Sequence, residues 1–246
     1  MVKSSTSKTA NRILILSDIH VPHHDKIALG TVLDYLKEHR FQTVYINGDF
    51  LDCGIISSYD KRYEEYDLVE ELELAQDVLS KIRKAARNAD IIYRFGNHEE
   101  RYERYITRNA YRLSGIRDIR LDRLLKLEQF KIRFAGDMRA PIWLTKNLAL
   151  LHGHEIRTSA FINIAKSVFA RTLVNTIVGH FHRTQEDIQR DMLDNVRGCW
   201  VSGCLCQLRP QYNIVNNWNH GFVEVSVYNT RQFHVQNRKL ISGVLL

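Results

Sequence analysis

The stretch that decides the fold is Arg12-Ile-Leu-Ile-Leu-Ser17, which is followed directly by Asp18-Ile-His20. A short run of Ile and Leu with a polar turn behind it is typical of a buried strand. The same combination returns at 43–47, 90–95, 148–151 and 174–178, each time before a turn that carries Asp, Asn or His. The sequence therefore predicts five buried strands, each with a polar loop at its carboxyl end.

Helix-like stretches separate these strands, at 25–39, 63–88, 99–111 and 160–171. Strands that alternate with helices predict an α/β layered domain. Further strand-like runs at 199–206, 221–228 and 231–236 have no helices between them, and we expect them to complete a second sheet. We expect a single domain over residues 1–246, with a flexible N-terminus at 1–11 and an Arg-rich insertion or helical cap at 99–130.

Composition narrows the class of protein. Of 246 residues, 44% are hydrophobic and 26% are charged, as in globular proteins. The longest apolar run, 13–16, is far shorter than the roughly 20 residues of a membrane-spanning helix, and residues 1–12 lack a signal-peptide core. We expect a cytoplasmic protein with no membrane contact. The spacing of the four Cys fits neither a zinc ribbon nor a redox motif, so we expect buried free thiols.

Charge indicates the kind of partner. The chain has 35 Lys and Arg against 28 Asp and Glu, a net charge of +7. Such a balance favours polyanionic partners and phosphate-bearing substrates, including nucleic acids and nucleotides.

The polar loops carry the chemistry. Loops at the carboxyl ends of strands form the binding crevice of α/β domains. These loops hold Asp18, His20, Asp49, Asp52, Asn97, His98, His152, His154, His180 and His182. Such oxygen and imidazole donors suit Mn²⁺, Fe²⁺ or Zn²⁺. The set exceeds the needs of one ion, which predicts two ions with a shared carboxylate. Two ions about 3.5–4 Å apart can hold a hydroxide and clamp a phosphoryl group.

Each of these residues also has a structural interpretation. Asp18 and Asp49 could cap helices, His152 could be a hydrogen-bonded core histidine, and Asn97 could be a turn residue. Their joint position at strand ends favours metal binding. The sequence has no glycine-rich nucleotide motif after any strand and no nucleophile elbow.

The loops resemble the five ordered motifs of the calcineurin-like metallophosphoesterases. The motifs are Asp18-Ile-His20, Gly48-Asp49-Phe-Leu-Asp52, Gly96-Asn97-His98-Glu99, His152-Gly-His154 and Gly179-His180-Phe-His182. The match runs from residue 13 to 182 in the family's order. The resemblance implies a four-layer α-β-β-α sandwich, with two mixed sheets flanked by helices and a dinuclear metal centre at one rim.

The resemblance also implies roles for these residues. Asp18, His20, Asp49 and His182 would hold the first ion, and Asp49, Asn97, His152 and His180 the second. We expect Mn²⁺, with Fe or Zn²⁺ as alternatives. His98 would either protonate the leaving oxygen or stabilise the transition state, and Asp52 would support His98 or a ligand. His154 would line the site and contact substrate, or bind metal.

Two further segments bear on the substrate. Arg101, Arg104, Arg108 and Arg112 recur at helical spacing next to the presumed site, which predicts one basic helix face. We expect Arg101 and Arg104 to bind phosphate and the interleaved Tyr102, Tyr105 and Tyr111 to stack on bases. The alternative is a solvated face with Glu100 and Glu103 as partners. Residues 53–66, with three Tyr, could form a lid beside Asp52, or could equally pack in the core or form a dimer contact. The turn at 216–221 could fold over the site.

We therefore expect a dinuclear-metal-dependent phosphoester hydrolase, in which a metal-bridging hydroxide attacks phosphorus, with nucleic acid or nucleotide phosphate as substrate. A phosphatase, a phosphodiesterase and a nuclease all fit. One alternative is a Ser/Thr phosphoprotein phosphatase, which Gly96-Asn97-His98-Glu99 resembles. Asp18-Ile-His20 lacks that branch's flanking glycines, however, and Cys53-Gly54 replaces its Arg-Gly. The other alternative is a non-catalytic metal-binding interaction scaffold.

Overall fold

Residues 10–58, 66–136, 139–157, 163–210 and 213–246 are described by the computed structural model of the chain. They form two β-sheets that pack face to face, with helices on both outer faces. The predicted α-β-β-α sandwich is therefore confirmed. No helix in the described part of the chain is long and apolar enough to cross a membrane.

The first sheet has seven strands. They are β1 (Asn11–Leu16), β2 (Thr43–Asn47), β3 (Asp90–Arg94), β4 (Ile132–Phe134), β10 (His220–Val227), β11 (Phe233–Ile241) and β12 (Val244–Leu245). Strands β1 to β4 are parallel to one another. On the other side of β1, β10 pairs antiparallel and continues the sheet through β11 and β12.

The second sheet has five strands, in the order β5-β6-β7-β9-β8. They are β5 (Ile142–Thr145), β6 (Leu148–Leu151), β7 (Asn175–Val178), β8 (Gln185–Arg190) and β9 (Val196–Val201). Our expectation that the last strand-like runs complete this sheet was wrong for β10 to β12. Of these runs, only β9 joins the second sheet. β10 pairs with β1 instead, and its Val223 and Val225 pack in the core between the two sheets.

Helices cover the outer faces. They are α1 (Lys26–Glu38), α2 (Leu68–Ala85), α3 (Glu99–Asn109), α4 (Leu121–Leu124) and α5 (Ile164–Thr172). Alternation along β1 explains the layering, since Ile13 and Ile15 face the second sheet while Leu14 and Leu16 face the helices. The helices predicted from 63 and from 160 begin later, at Leu68 and Ile164, and the first residues of both predictions lie outside the described residues.

The strand directions position the polar loops. Because β1, β2 and β3 are parallel in one sheet, and β6 and β7 in the other, their carboxyl ends carry the loops that converge at one rim. These rim loops are residues 17–20, 48–52, 95–98, 152–154 and 179–182. The five predicted strands that precede them are confirmed, with ends that differ by a residue at most.

Candidate metal centre

The backbone of the rim loops is strained at five of the predicted ligands. Their φ angles lie between +50° and +66°, at Asp18, His20, Asp49, His180 and His182. Non-glycine residues are uncommon in this region, and each costs about 1–3 kcal/mol. Such strain persists only where the surrounding structure enforces it, and it concentrates at functional sites.

The carboxylate of Glu99 holds the Asp49 loop in this conformation. It is fully buried and accepts five hydrogen bonds of 2.7–3.0 Å, from the backbone N–H groups of Asp49, Phe50, Leu51 and Gly96 and from the Tyr93 hydroxyl. Glu99 stands in the Gly96-Asn97-His98-Glu99 motif, but no role was predicted for it. That position was its only signal, since three of its five donors lie about 50 residues away in the chain, at 49–51.

Two glycines allow the loops to approach closely. A Cβ on Gly96 would lie 2.2 Å from Asp49 Oδ1 and 2.9 Å from His152 Nε2. Gly48 has a φ of +83°, and its Cβ would lie 2.5 Å from His152 Nδ1. Any side chain at either position would displace the residues that form the centre.

Asp49 lies at the middle of the centre, and its side chain is only 2% exposed. Its Oδ2 faces imidazole nitrogens from four different segments, at 3.1 Å (His152), 3.9 Å (His98), 3.9 Å (His180) and 4.0 Å (His20). Its Oδ1 accepts the backbone N–H of His98 at 2.9 Å. Asp49 therefore lies where a carboxylate shared by two cations would lie, and it caps neither α1 nor α2, whose N-caps are Asp25 and Asp67.

Asp18, His20 and His182 form one side of the centre. His182 Nε2 lies 3.3 Å from Asp18 Oδ1 and 3.3 Å from His20 Nε2. The other ring nitrogen of His20, Nδ1, donates to Asp52 Oδ1 at 3.0 Å. Since that bond places the proton on Nδ1, the Nε2 of His20 presents a lone pair to the centre. Burial and the His98 charge lower the pKa of His20 to about 4, so this ring is neutral.

Asn97, His152 and His180 form the other side. His152 Nδ1 donates to the backbone oxygen of Asn47 at 2.8 Å, which leaves the lone pair on Nε2. That Nε2 and Asn97 Oδ1 are both buried without a hydrogen bond, although Nε2 lies 3.1 Å from Asp49 Oδ2. Because His152 Nε2 and Asp49 Oδ2 are both acceptors when His152 is neutral, a proton or a metal cation must lie between them. The residues on both sides of the centre therefore fit a pair of divalent ions.

The buried charges of the centre shift one another's pKa. Although burial disfavours the carboxylate, the His152 and His98 charges hold the pKa of Asp49 well below its usual range. Against the effect of burial, Asp49 raises the pKa of His152 to about 10. Asp18 acts likewise on His182, whose pKa is also raised to about 10. The ionised carboxylates attract positive charge, so protons on these two histidines compete with metal ions.

His98 lies beside the ligands with its orientation fixed. Its Nδ1 donates to the backbone oxygen of Asp52 at 2.8 Å. Arg101 contacts the same two residues, because its Nη1 donates to Asp52 O at 2.9 Å and its Nη2 donates to His98 Nε2 at 3.0 Å. Burial opposes the charged form, but Asp49 and Asp52 raise the pKa of His98. Hydrogen bonds from His20 and His98 lower the pKa of Asp52 despite its burial.

The remaining predicted substrate contacts lie beside the Asn97 side of the centre. His154 has its ring 5.4 Å from that of His152, and its Nε2 lies 3.5 Å from Glu100 Oε1. Arg104 donates from Nη2 to the backbone oxygen of Asn97 at 3.5 Å.

The basic helix face differs from its prediction. Because α3 ends at Asn109, Arg112 lies beyond it, and the Arg101 guanidinium contacts Asp52 and His98. Tyr102 is 5% exposed and donates to the backbone oxygen of Ile119, so it belongs to the core and cannot stack on a base. Tyr105 and Tyr111 are 43% and 72% exposed.

Two neighbours of His182 were not predicted from the sequence. Trp218 packs edge-on against the His182 ring at 4.2 Å, so the turn predicted to fold over the site does reach it. Cys206 Sγ lies 3.6 Å from His182 Nδ1. All four cysteines are buried free thiols, as predicted. Of the predicted lid, Tyr59 and Tyr63 lie outside the described residues, while Tyr66 contacts the ring of His23 at 6.1 Å.

Comparisons with known proteins agree with this geometry. A family model described as calcineurin-like phosphoesterase matches residues 11–195, which include all five motifs. The chain is similar to Vacuolar Protein Sorting 29 from Cryptosporidium parvum, with 10% identity, 97% of this chain and 96% of that chain covered, and a TM-score of 0.51. It is also similar to a purple acid phosphatase from yellow lupin seeds, with 10% identity, 98% of this chain and 53% of that chain covered, and a TM-score of 0.50. At such identities these structures show the fold alone. No curated protein matches significantly.

Proposed function

Since the chain belongs to the calcineurin-like phosphoesterase family, we propose that it hydrolyses phosphate esters of nucleic acids or nucleotides with two divalent ions. One observation carries this proposal. A single buried carboxylate oxygen, Asp49 Oδ2, faces four imidazole nitrogens at 3.1–4.0 Å. Such a convergence of imidazole nitrogens on one carboxylate oxygen is suited to binding divalent cations.

The ligand assignment follows the two sides of the centre. Asp18, His20, Asp49 and His182 would hold the first ion, and Asp49, Asn97, His152 and His180 the second. Oxygen and imidazole donors suit Mn²⁺, which we propose as the native metal. When bound, such an ion pair supplies a water nucleophile of lowered pKa and neutralises charge on the phosphoryl oxygens.

His98 is the proposed proton donor to the leaving oxygen. Its Nδ1–H is held by the backbone oxygen of Asp52, which directs Nε2 toward Asp49 Oδ2 at 3.9 Å. The neighbouring carboxylates raise the pKa of His98 against the effect of burial. They therefore favour the protonated ring that a general acid needs near neutral pH.

Arg101 is the proposed phosphate contact next to this acid. Its guanidinium is held by the backbone oxygen of Asp52 and reaches His98 Nε2 at 3.0 Å. A phosphoryl oxygen at this position would attract the guanidinium by a charge-assisted hydrogen bond. Such a bond would release Nε2 of His98 for proton transfer.

The substrate class rests on charge. The net charge of +7 and the arginines beside the centre favour polyanions. The complete set of ligand side chains supports an enzyme over the alternative of a non-catalytic scaffold. We also propose a cytoplasmic location, which the four free thiols support because reduced cysteines persist in reducing compartments.

The test compares the Mn²⁺-loaded protein with Asp49→Asn. We expect the wild type to bind two ions per chain and to hydrolyse members of a panel that contains a nitrophenyl monoester, its diester analogue, mononucleotides, single-stranded DNA and a phosphopeptide. Asp49→Asn should lose at least one ion and all activity. Asp34→Asn is the matched control, because Asp34 is exposed on α1 and pairs with the exposed Lys37 at 2.8 Å.

The outcomes separate the alternatives. Metal analysis that finds no bound ion in the wild type would overturn the proposal. Bound ions without hydrolysis of any ester would favour a scaffold, and hydrolysis confined to the phosphopeptide would favour a phosphoprotein phosphatase.

A further inference from the structure

A groove of about 450 Å³ opens along α3 beside the candidate centre. Arg104, Arg108 and Arg139 line it, together with Glu100 and Glu103. We infer that this arginine groove binds a backbone phosphate of a single nucleic-acid strand, adjacent to the phosphate that is hydrolysed. Phosphate binding in the groove does not depend on the proposed function, because no side chain of a proposed metal ligand lines the groove. Only the statement that the adjacent phosphate is hydrolysed rests on the proposed function.

The groove adjoins the centre on the side of Asn97. Arg104 Nη2 lies 3.5 Å from the backbone oxygen of Asn97, which is a proposed ligand of the second ion. Glu100 lies 3.5 Å from His154, whose ring is 5.4 Å from that of His152. A strand with one phosphate at the ions would therefore pass directly into the groove.

The charge inside the groove is positive. Glu100 is shared by Arg139 at 3.7 Å and His154 at 3.5 Å. Glu103 interacts with the charge of Arg120, which does not line the groove. Glu100 is therefore paired with a groove arginine, Arg139, and Glu103 with an arginine outside the groove, so the positive charge of the groove comes from Arg104 and Arg108.

Arg104 and Arg108 keep their charge for a ligand. Arg104 donates to the backbone oxygens of Glu100 and Asn97, which orient the guanidinium without neutralising it. Neither arginine forms an ion pair with another residue in the described part of the chain. Guanidinium groups match phosphate oxygens in geometry and charge.

A strand explains the groove better than a ligand with one phosphate. The single phosphate of a simple monoester would lie at the ions and leave the groove without an anion. The groove is open, and Arg104 and Arg108 are exposed along it, so a polymer could pass through.

The experiment measures binding of a fluorescein-labelled oligo(dT) of eight nucleotides by anisotropy, in EDTA to prevent hydrolysis, over a range of KCl concentrations. Each phosphate contact contributes about 0.7 to the slope of log affinity against log salt for single strands. We expect Arg104→Gln with Arg108→Gln to bind more weakly than the wild type and to reduce this slope by about 1.4. Arg40→Gln is the matched control, since Arg40 is exposed just before the amino end of β2, at the opposite rim.

Two results would overturn phosphate binding in the groove. One is an unchanged slope in the double variant, and the other is no binding of the oligonucleotide by the wild type at low salt. A separate assay adds Mn²⁺ and follows cleavage of the same oligonucleotide. Groove-dependent binding without cleavage would support the groove and count against the proposed function. Cleavage with an unchanged slope would count against phosphate binding in the groove and support the proposed function. Far-ultraviolet circular dichroism checks that all variants are folded.

Discussion

Replacing Glu99 by Gln should destabilise the protein, because it removes one of the two buried acceptor oxygens that hold the Asp49 loop. The substitution exchanges one carboxylate oxygen for an NH₂ group and keeps the size of the side chain. All five groups that face this carboxylate are donors. An amide cannot accept from all of them, whichever way it is oriented.

The structure sets the magnitude. With the NH₂ at the Oε2 position, the N–H groups of Asp49 and Gly96 lose their acceptor. With the NH₂ at the Oε1 position, the N–H groups of Phe50 and Leu51 lose theirs. Each buried donor left unpaired costs about 1–3 kcal/mol, so the loss is about 2–6 kcal/mol. Relief of the repulsion from Asp49, which together with burial raises the pKa of Glu99, offsets part of it. We expect a net loss of about 2–4 kcal/mol.

Urea unfolding of the metal-free protein measures this loss directly. Glu73→Gln is the control, since Glu73 is exposed on α2 and the same chemical change there should stay within about 0.5 kcal/mol. The variant should also bind Mn²⁺ more weakly, because the strained Asp49 loop is no longer held. A free energy of unfolding within about 0.5 kcal/mol of the wild type would refute the role assigned to Glu99.

Three further predictions concern catalysis, pH and metal. His98→Ala should lower kcat by about 10²–10³ while both ions stay bound. His234→Ala, at an exposed position on β11, should change neither kcat nor metal binding. Unchanged turnover in His98→Ala would contradict the role of His98. Burial raises the pKa of Glu71 from 4.5 to about 8, so the folded protein holds a proton that the unfolded chain has released, and stability should fall as pH rises through this window. Glu71→Gln should therefore match the wild type in thermal unfolding at pH 4.5 and exceed it at pH 8.5; equal curves at both pH values would rule this out. Mn²⁺ at 100 times its Kd should stabilise the wild type by about 2.7 kcal/mol for each ion bound, which is about 5–10 °C in Tm per ion. Asp49→Asn should be stabilised far less, and an identical shift in both would show that Asp49 does not bind the metal.

The apolar runs and their polar turns were sufficient to locate the strands that carry the site. Each of the five runs is a strand of the structure, because a buried strand needs only a few consecutive Ile, Val and Leu residues and this requirement is met by chain neighbours. The loops behind them converge because parallel strands align their carboxyl ends. The proximity of Asp18, Asp49, Asn97 and the histidines is therefore a consequence of strand order.

Pairing and orientation were not accessible in this way. Two of the strand-like runs near the C-terminus join the first sheet rather than the second, with β10 paired to β1 and β11 to β10, because partner choice depends on which faces meet in the core. Arg101 and Tyr102 follow one another in the chain, yet Arg101 turns to Asp52 while Tyr102 is buried against Ile119. The position of a residue on a helix does not predict which residues its side chain contacts in the folded protein.

The local sequence of this protein thus determined which residues form strands and which polar groups follow them, since both depend on residues that are adjacent in the chain. The tertiary structure alone decided which buried donors converge on Glu99, which lone pairs face each other across the centre, and where the arginines point. These features join residues that lie up to 162 positions apart, as in the contact between His20 and His182. Contacts over such separations depend on how the whole chain packs, and no local pattern contains them.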